Sequence, residues 1–190
     1  MKIKKNTGID SKTGASLVNC TTIAQWETIA GTVYRKAPPN NPTYDDPLQG
    51  CANTCYLIAA LSSIAWARPA LLASTVAGIG FYSSVGSPKT IPAITDKLPT
   101  DSSHKLIYAR CSDSGETWPA LYEKAYASVF GPSHTDTPNI ANIEQWKSPV
   151  LALERVTGYA SFSKAAGSFA VADLPLSAGK TTKPSVAWTG

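Results

Sequence analysis

Histidine is scarce: two in 190 residues, His104 and His134. Any reaction needing an imidazole base has only these to draw on, and both stand in polar, turn-rich stretches, residues 100–105 and 131–136. Charge is thin as well, at 16% of residues with a net +4, and the lysines and arginines are spread out rather than clustered with aromatics. That distribution argues against a nucleic-acid partner. No stretch reaches 18 apolar residues, and the longest apolar run, 56–67, is too short for a bilayer. The basic start, Met1-Lys2-Ile3-Lys4-Lys5, leads into polar residues instead of the apolar segment of a signal peptide. A soluble chain with no membrane partner is expected, its compartment left open. What is present is 43% hydrophobic content with five tryptophans and eight tyrosines, enough for one compact unit with a sizeable core.

The most informative stretch is Gln49-Gly50-Cys51-Ala52-Asn53-Thr54-Cys55-Tyr56-Leu57. A cysteine attacks as the thiolate, which the unpaired N–H groups and the dipole of a helix start favour. Cys55 stands where such a helix should begin, with Asn53 and Thr54 as capping residues. Residues 56–67 hold no glycine, proline or charge and are apolar on every face, which predicts a helix buried on all sides. Gly50 permits a tight turn, so that the Gln49 amide folds back to donate to the oxygen that turns negative in a tetrahedral intermediate. The alternative is that Cys55 is an inert packing residue, as most buried cysteines are.

Residues 49–63 resemble the nucleophile segment of the calpain family of papain-fold cysteine proteases. A second segment, Glu116-Thr117-Trp118-Pro119-Ala120-Leu121-Tyr122-Glu123-Lys124-Ala125-Tyr126-Ala127, is similar to that family's Glu-x-Trp-x-x-Leu-x-Glu-Lys-Ala-Tyr-Ala helix. Between them, residues 94–100 and 106–110 resemble its strand, Asp-x-Leu-Pro turn and following strand, and 152–158 its short helix ending at a Thr-Gly turn. The resemblance spans about residues 33–160 in order. It implies an α+β, papain-like fold: the mainly helical nucleophile subdomain, a central helix starting at Cys55, and few short strands. It further implies a cysteine endopeptidase acting on peptide or protein, with Cys55 as nucleophile and Gln49 in the oxyanion hole.

The departures concern the neighbours of the thiol and the base. Where the family usually has a small or acidic pair and then tryptophan, this chain has Asn53, Thr54 and Tyr56. Tyrosine keeps an aromatic beside the thiol, and the lost acid removes a charge that would oppose the thiolate. The family's histidine and asparagine lie in Gly-His-x-Tyr and Arg-Asn-Pro-Trp motifs of a β-rich second half, and neither motif occurs here. His104 and His134 read as surface residues, so the base and its orienting asparagine are expected on a C-terminal half or partner chain. The chain alone is then an incomplete, inactive protease fragment; the alternative is a catalytically inactive binding domain.

The resemblance also implies a calcium site formed by backbone carbonyls near Pro39 and Asn41 with Asp46, nine residues before Cys55, and Glu116. The competing reading has Asp45 and Asp46 capping a turn and Glu116 complementing a helix N-terminus. No cofactor is required by the sequence otherwise. Of the four cysteines, Cys51 and Cys55 are close in sequence, but a disulfide between them would mask the nucleophile, and pairing of Cys20 with Cys111 stays open. A lone Cys-x-x-x-Cys is weak support for zinc.

Three segments are expected. Residues 1–30 form an N-terminal segment with a short helix near 22–30, where Ile23, Trp26 and Ile29 fall at helical spacing. Residues 31–178 form the protease subdomain, and 179–190 a linker with the first strand of the second half. Within the subdomain, 37–42 should run extended. A helical stretch should start at Pro69, and strands and turns should fill 81–111. An amphipathic helix should cover 118–130, followed by a variable loop over 133–142.

Overall fold

A computed structural model describes residues 23–33, 42–72, 76–113, 115–144 and 148–161, with the backbone of 176–177 and 180–181. The expected extended run 37–42 and the N-terminal residues lie mostly outside this set. The fold is α+β: the described residues form three helices, α1 (Cys55–Ala67), α2 (Trp118–Phe130) and α3 (Pro149–Thr157), and small antiparallel strand pairs. Among the described residues, no helix is long and apolar enough to cross a membrane.

α1 packs against α3 and α2, and the three share one core in which Leu57, Leu61, Ile64, Trp118, Tyr122 and Tyr126 are fully or almost fully buried. The helix ends follow local chemistry. α3 starts on Ser148, whose Oγ accepts the Val150 N–H at 3.2 Å, with Pro149 at the first helical position. It stops at Gly158, which takes φ +71°, and a β-carbon there would press on the Tyr82 ring at 2.7 Å. The Thr-Gly ending expected from sequence is therefore present.

The strands pair as β1 (Gln25–Thr28) with β5 (Lys97–Thr100), β2 (Pro47–Leu48) with β6 (Arg110–Cys111), and β3 (Phe81–Ser84) with β4 (Ser87–Lys89). Short β7 (Leu176–Ser177) and β8 (Lys180–Thr181) pair with each other.

Four expectations need correction. The short helix near 22–30 is instead β1, bonded along β5 from Gln25 opposite Thr100 to Thr28 opposite Lys97. A segment of this length gains little from an isolated helix, whereas the β5 edge offers a full ladder. It also offers the Thr100 hydroxyl, which donates to Glu27. Residues 25–28 thus join the sheet of 97–100.

α1 is not buried on all sides. Cys55 and Trp66 are exposed and Ala59 and Ser62 half-buried, and their offsets of 4, 7 and 11 form one open line along the helix. In the stretch after Pro69 the described residues form single 3₁₀ turns, at Pro69–Leu71 and Val76–Gly78, rather than an α-helix.

α2 occupies the expected residues but is not amphipathic. Trp118 through Val129 are all buried, the charged Glu123 and Lys124 included. Lys124 Nζ donates to the Lys97 and Thr95 carbonyls at 2.7 and 3.0 Å and pairs with Asp136 at 2.7 Å. Asp136 in turn accepts the Thr95 N–H and hydroxyl at 2.7 and 2.6 Å. Burial lowers the Lys124 pKa against the pull of Asp136, and the bonds from Lys124 and Thr95 hold Asp136 below the usual carboxylate range despite its own desolvation. The expected variable loop is thereby tied to α2, and its end, the 3₁₀ turn Ile140–Ile143, sends Ile140 and Ile143 into the core.

Candidate active site

Cys55 is the first residue of α1, with a free and exposed thiol. Thr54 holds the N-cap position but its side chain makes no cap bond, contrary to the sequence expectation. Its hydroxyl donates instead to Glu123 on α2. The Thr54 carbonyl accepts from Leu57 and Ile58 at 2.8 and 3.1 Å, which starts the helix regularly. The thiol sits where backbone N–H groups concentrate positive potential.

The loop before it is held from three directions. Gln49 folds back, its Nε2 donating to the Ala52 carbonyl at 2.9 Å. An amide nitrogen carries two N–H groups, and this bond uses one of them. Gly50 lies against the backbone of Tyr108, so closely that a β-carbon there would meet the Tyr108 carbonyl oxygen at 1.9 Å. The Cys51 N–H donates to Ile107 O at 3.0 Å, and the Arg110 guanidinium reaches Gln49 O at 3.5 Å.

Cys51 is disulfide-bonded, while Cys55 and Cys111 are free. That excludes the Cys20–Cys111 pairing and leaves the candidate nucleophile unmasked. Tyr56 is turned into the core, its hydroxyl donating to Ile143 O at 3.0 Å and its ring edge-on to Tyr126.

Behind the loop stands Glu123, fully buried, with one oxygen accepting from Thr54 and the other from the Ala109 N–H at 2.7 Å. Burial pushes its carboxyl up to about 7, against the opposing effect of those two bonds. Glu144 lies nearby, raised by burial while the Asn53 N–H bonded to it acts in the opposite direction.

A second cluster joins Asp46, Cys111 and Glu116, whose ligand atoms all lie within 4.8 Å of one another. Both carboxylates are buried. Asp46 accepts the Thr43 N–H and hydroxyl at 2.7 and 2.8 Å and the Trp118 indole N–H at 3.4 Å. The Cys111 thiol donates to Glu116 at 3.6 Å, and burial pushes that thiol up. The turn cap expected of Asp46 is thus present, and the two residues named as a calcium pair do come together.

Comparison with known proteins gives the family of the chain. The description "Calpain family cysteine protease" matches residues 34–147, which include the whole loop, α1 and α2. This chain belongs to the calpain family of cysteine proteases. A protein named "Thiol protease" from Porphyromonas gingivalis (strain ATCC BAA-308 / W83) is 35% identical over 102 residues, 45% of this chain and 21% of the relative. The chain therefore matches about a fifth of that relative's length.

In this calpain-family chain both histidines are engaged away from α1. His104, at φ +60° in an exposed turn, meets Glu27 at 2.9 Å and Gln25 at 2.8 Å, and its bond together with that of Thr100 holds the Glu27 carboxyl low. His134 is exposed and contacts the Ser128 carbonyl at 3.0 Å. Both histidines are exposed, as expected, whereas Glu123 behind the thiol and Cys111 beside Asp46 were not expected at these sites. The signal for Glu123 was its place in an apolar helix directly after Tyr122; Cys111 gave none, since its meeting with Asp46 depends on the β2–β6 pairing.

Proposed function

We propose that this chain carries the nucleophile of a cysteine endopeptidase with a papain-like fold. The observation that carries this reading is a free, exposed thiol on the first residue of α1 with the Gln49 amide folded back onto the same turn. Cys55 Sγ attacks the peptide carbonyl carbon, and the carbonyl oxygen takes up negative charge. The Cys55 backbone N–H and the remaining Gln49 N–H donate to that oxygen. Collapse expels the amine and leaves a thioester on Cys55, which water then hydrolyses to release the acid and restore the thiol.

The proton that the thiol loses and the leaving amine gains passes through a histidine oriented by an asparagine, supplied from a β-rich second half or a partner chain. This assignment rests on the two histidines of the described fold being bonded at other surfaces. The chain taken alone then lacks the base and hydrolyses nothing.

Iodoacetamide labelling of the intact protein tests the reading. Selective modification of Cys55 over the half-buried Cys111, abolished by Cys55→Ser, is the expected result. Equal slow labelling of both would instead favour an inactive binding domain.

The proposal extends to calcium, held by Asp46 and Glu116. Two buried carboxylates side by side suit a hard cation, and the adjacent Cys111 thiol, raised by burial, stays protonated and outside the ligand set. The ion would offset the repulsion of the two acids and tie the loop before β2 to the start of α2. Millimolar calcium is expected to raise the melting temperature by a few degrees, on the order of 1 kcal/mol, and Asp46→Asn to remove the shift. A melting temperature indifferent to calcium would leave Asp46 as a turn cap alone.

A further inference from the structure

We propose that Glu123 is the positioning residue of the Cys55 site, clamping the turn that carries the thiol to the backbone that Gly50 rests on. This rests on the reading of Cys55 as the nucleophile and deepens it. Three chain segments meet at one carboxylate. Thr54, the residue before Cys55, donates to one oxygen, and Ala109, next to the Tyr108 carbonyl against which Gly50 is pressed, donates to the other. The third segment is α2 itself, whose residues from Trp118 to Val129 are buried. A fully buried carboxylate is costly to place unless its lone pairs are met, and both oxygens here are met by the two strands of chain that shape the site.

Because the Thr54 hydroxyl is spent on Glu123, it does not cap α1, and the Cys55 N–H at the helix start is left for a substrate oxygen. The same bond makes the turn sensitive to protonation. Ionised Glu123 only accepts, so Thr54 must donate; once protonated, the carboxyl can donate to Thr54 while still accepting from Ala109. Burial brings that change close to neutrality.

The titratable groups facing Glu123 are Tyr56 from α1, Tyr108 from the segment before β6, and Glu144 after the Ile140–Ile143 turn. Arg155 of α3 stands one residue further, bonded to the Tyr126 hydroxyl at 2.7 Å. Burial raises both phenols, which leaves Glu144 as the one neighbour able to mimic a carboxylate transition.

The test measures the iodoacetamide rate at Cys55 in the intact protein from about pH 5 to about pH 9. Wild type is expected to show, besides the titration of the thiol, an inflection near 7. Glu123→Gln keeps both contacts, its carbonyl accepting from Ala109 and its NH₂ donating to Thr54, and is expected to erase the inflection. Thr54→Val removes one bond to a charged group and is expected to slow labelling about tenfold with unchanged circular dichroism. Glu144→Gln should retain the inflection. If Glu123→Gln keeps the inflection, or Glu144→Gln loses it, or Thr54→Val labels like wild type, the positioning role is overturned while Cys55 as nucleophile stands. If wild-type Cys55 does not outreact Cys111, the nucleophile reading itself has failed.

Discussion

Alanine at position 50 is expected to slow Cys55-dependent peptide hydrolysis, measured with the histidine-bearing half supplied, about 10²-fold. The added β-carbon would sit 1.9 Å from the Tyr108 oxygen and 2.2 Å from its carbonyl carbon, and these are backbone atoms with no rotamer to escape into. Tyr108 cannot retreat easily, because Ile107 accepts from Cys51 and Ala109 donates to buried Glu123. The 49–51 loop must therefore lift away, carrying Gln49 and the chain entering α1. Displacement on the scale of an ångström is enough for a loss of that size. Stability should fall by about 1–3 kcal/mol, the usual cost of overpacking. Paired measurements of kcat/KM and the urea midpoint check both; wild-type values for each would show that the loop does not rest on Tyr108.

Gln49→Ala is expected to lower kcat by about 10²–10³ with little change in KM, the pattern of a donor that acts when charge develops on the substrate oxygen. Stability should change far less. The side chain is exposed and gives up one bond, to the Ala52 carbonyl, worth about 1 kcal/mol. A rise in KM at constant kcat would place Gln49 in substrate binding and remove it from the oxyanion role.

Much of the site was legible because its signals are local. A cysteine heading an uncharged apolar run marks a helix start, and α1 begins at Cys55. The boundaries of α2 were equally readable from Trp118 and Pro119 at its start and Gly131 after its end. What escaped depends on contacts distant in sequence. Residues 25–28 became a strand because β5, some seventy positions later, offered a ladder. Glu123 and Lys124 look like a solvent-facing pair, and only tertiary structure shows each charge met by groups from other segments. Thr54 had the right residue type for a cap, yet a buried carboxylate drew its hydroxyl away.

The open line on α1 amounts to a ruler. From residue 55 to residue 66 it runs about 16 Å at the α-helical rise, with Ala59 and Ser62 between. Its near end is a sulfur and its far end an indole, Trp66, set edge-on to the exposed ring of Tyr44 at 5.1 Å. A molecule that touches only the sulfur leaves that indole in water. One that takes the indole out of water while bound at the sulfur has spanned the whole helix, so the two ends together measure how far an occupant reaches.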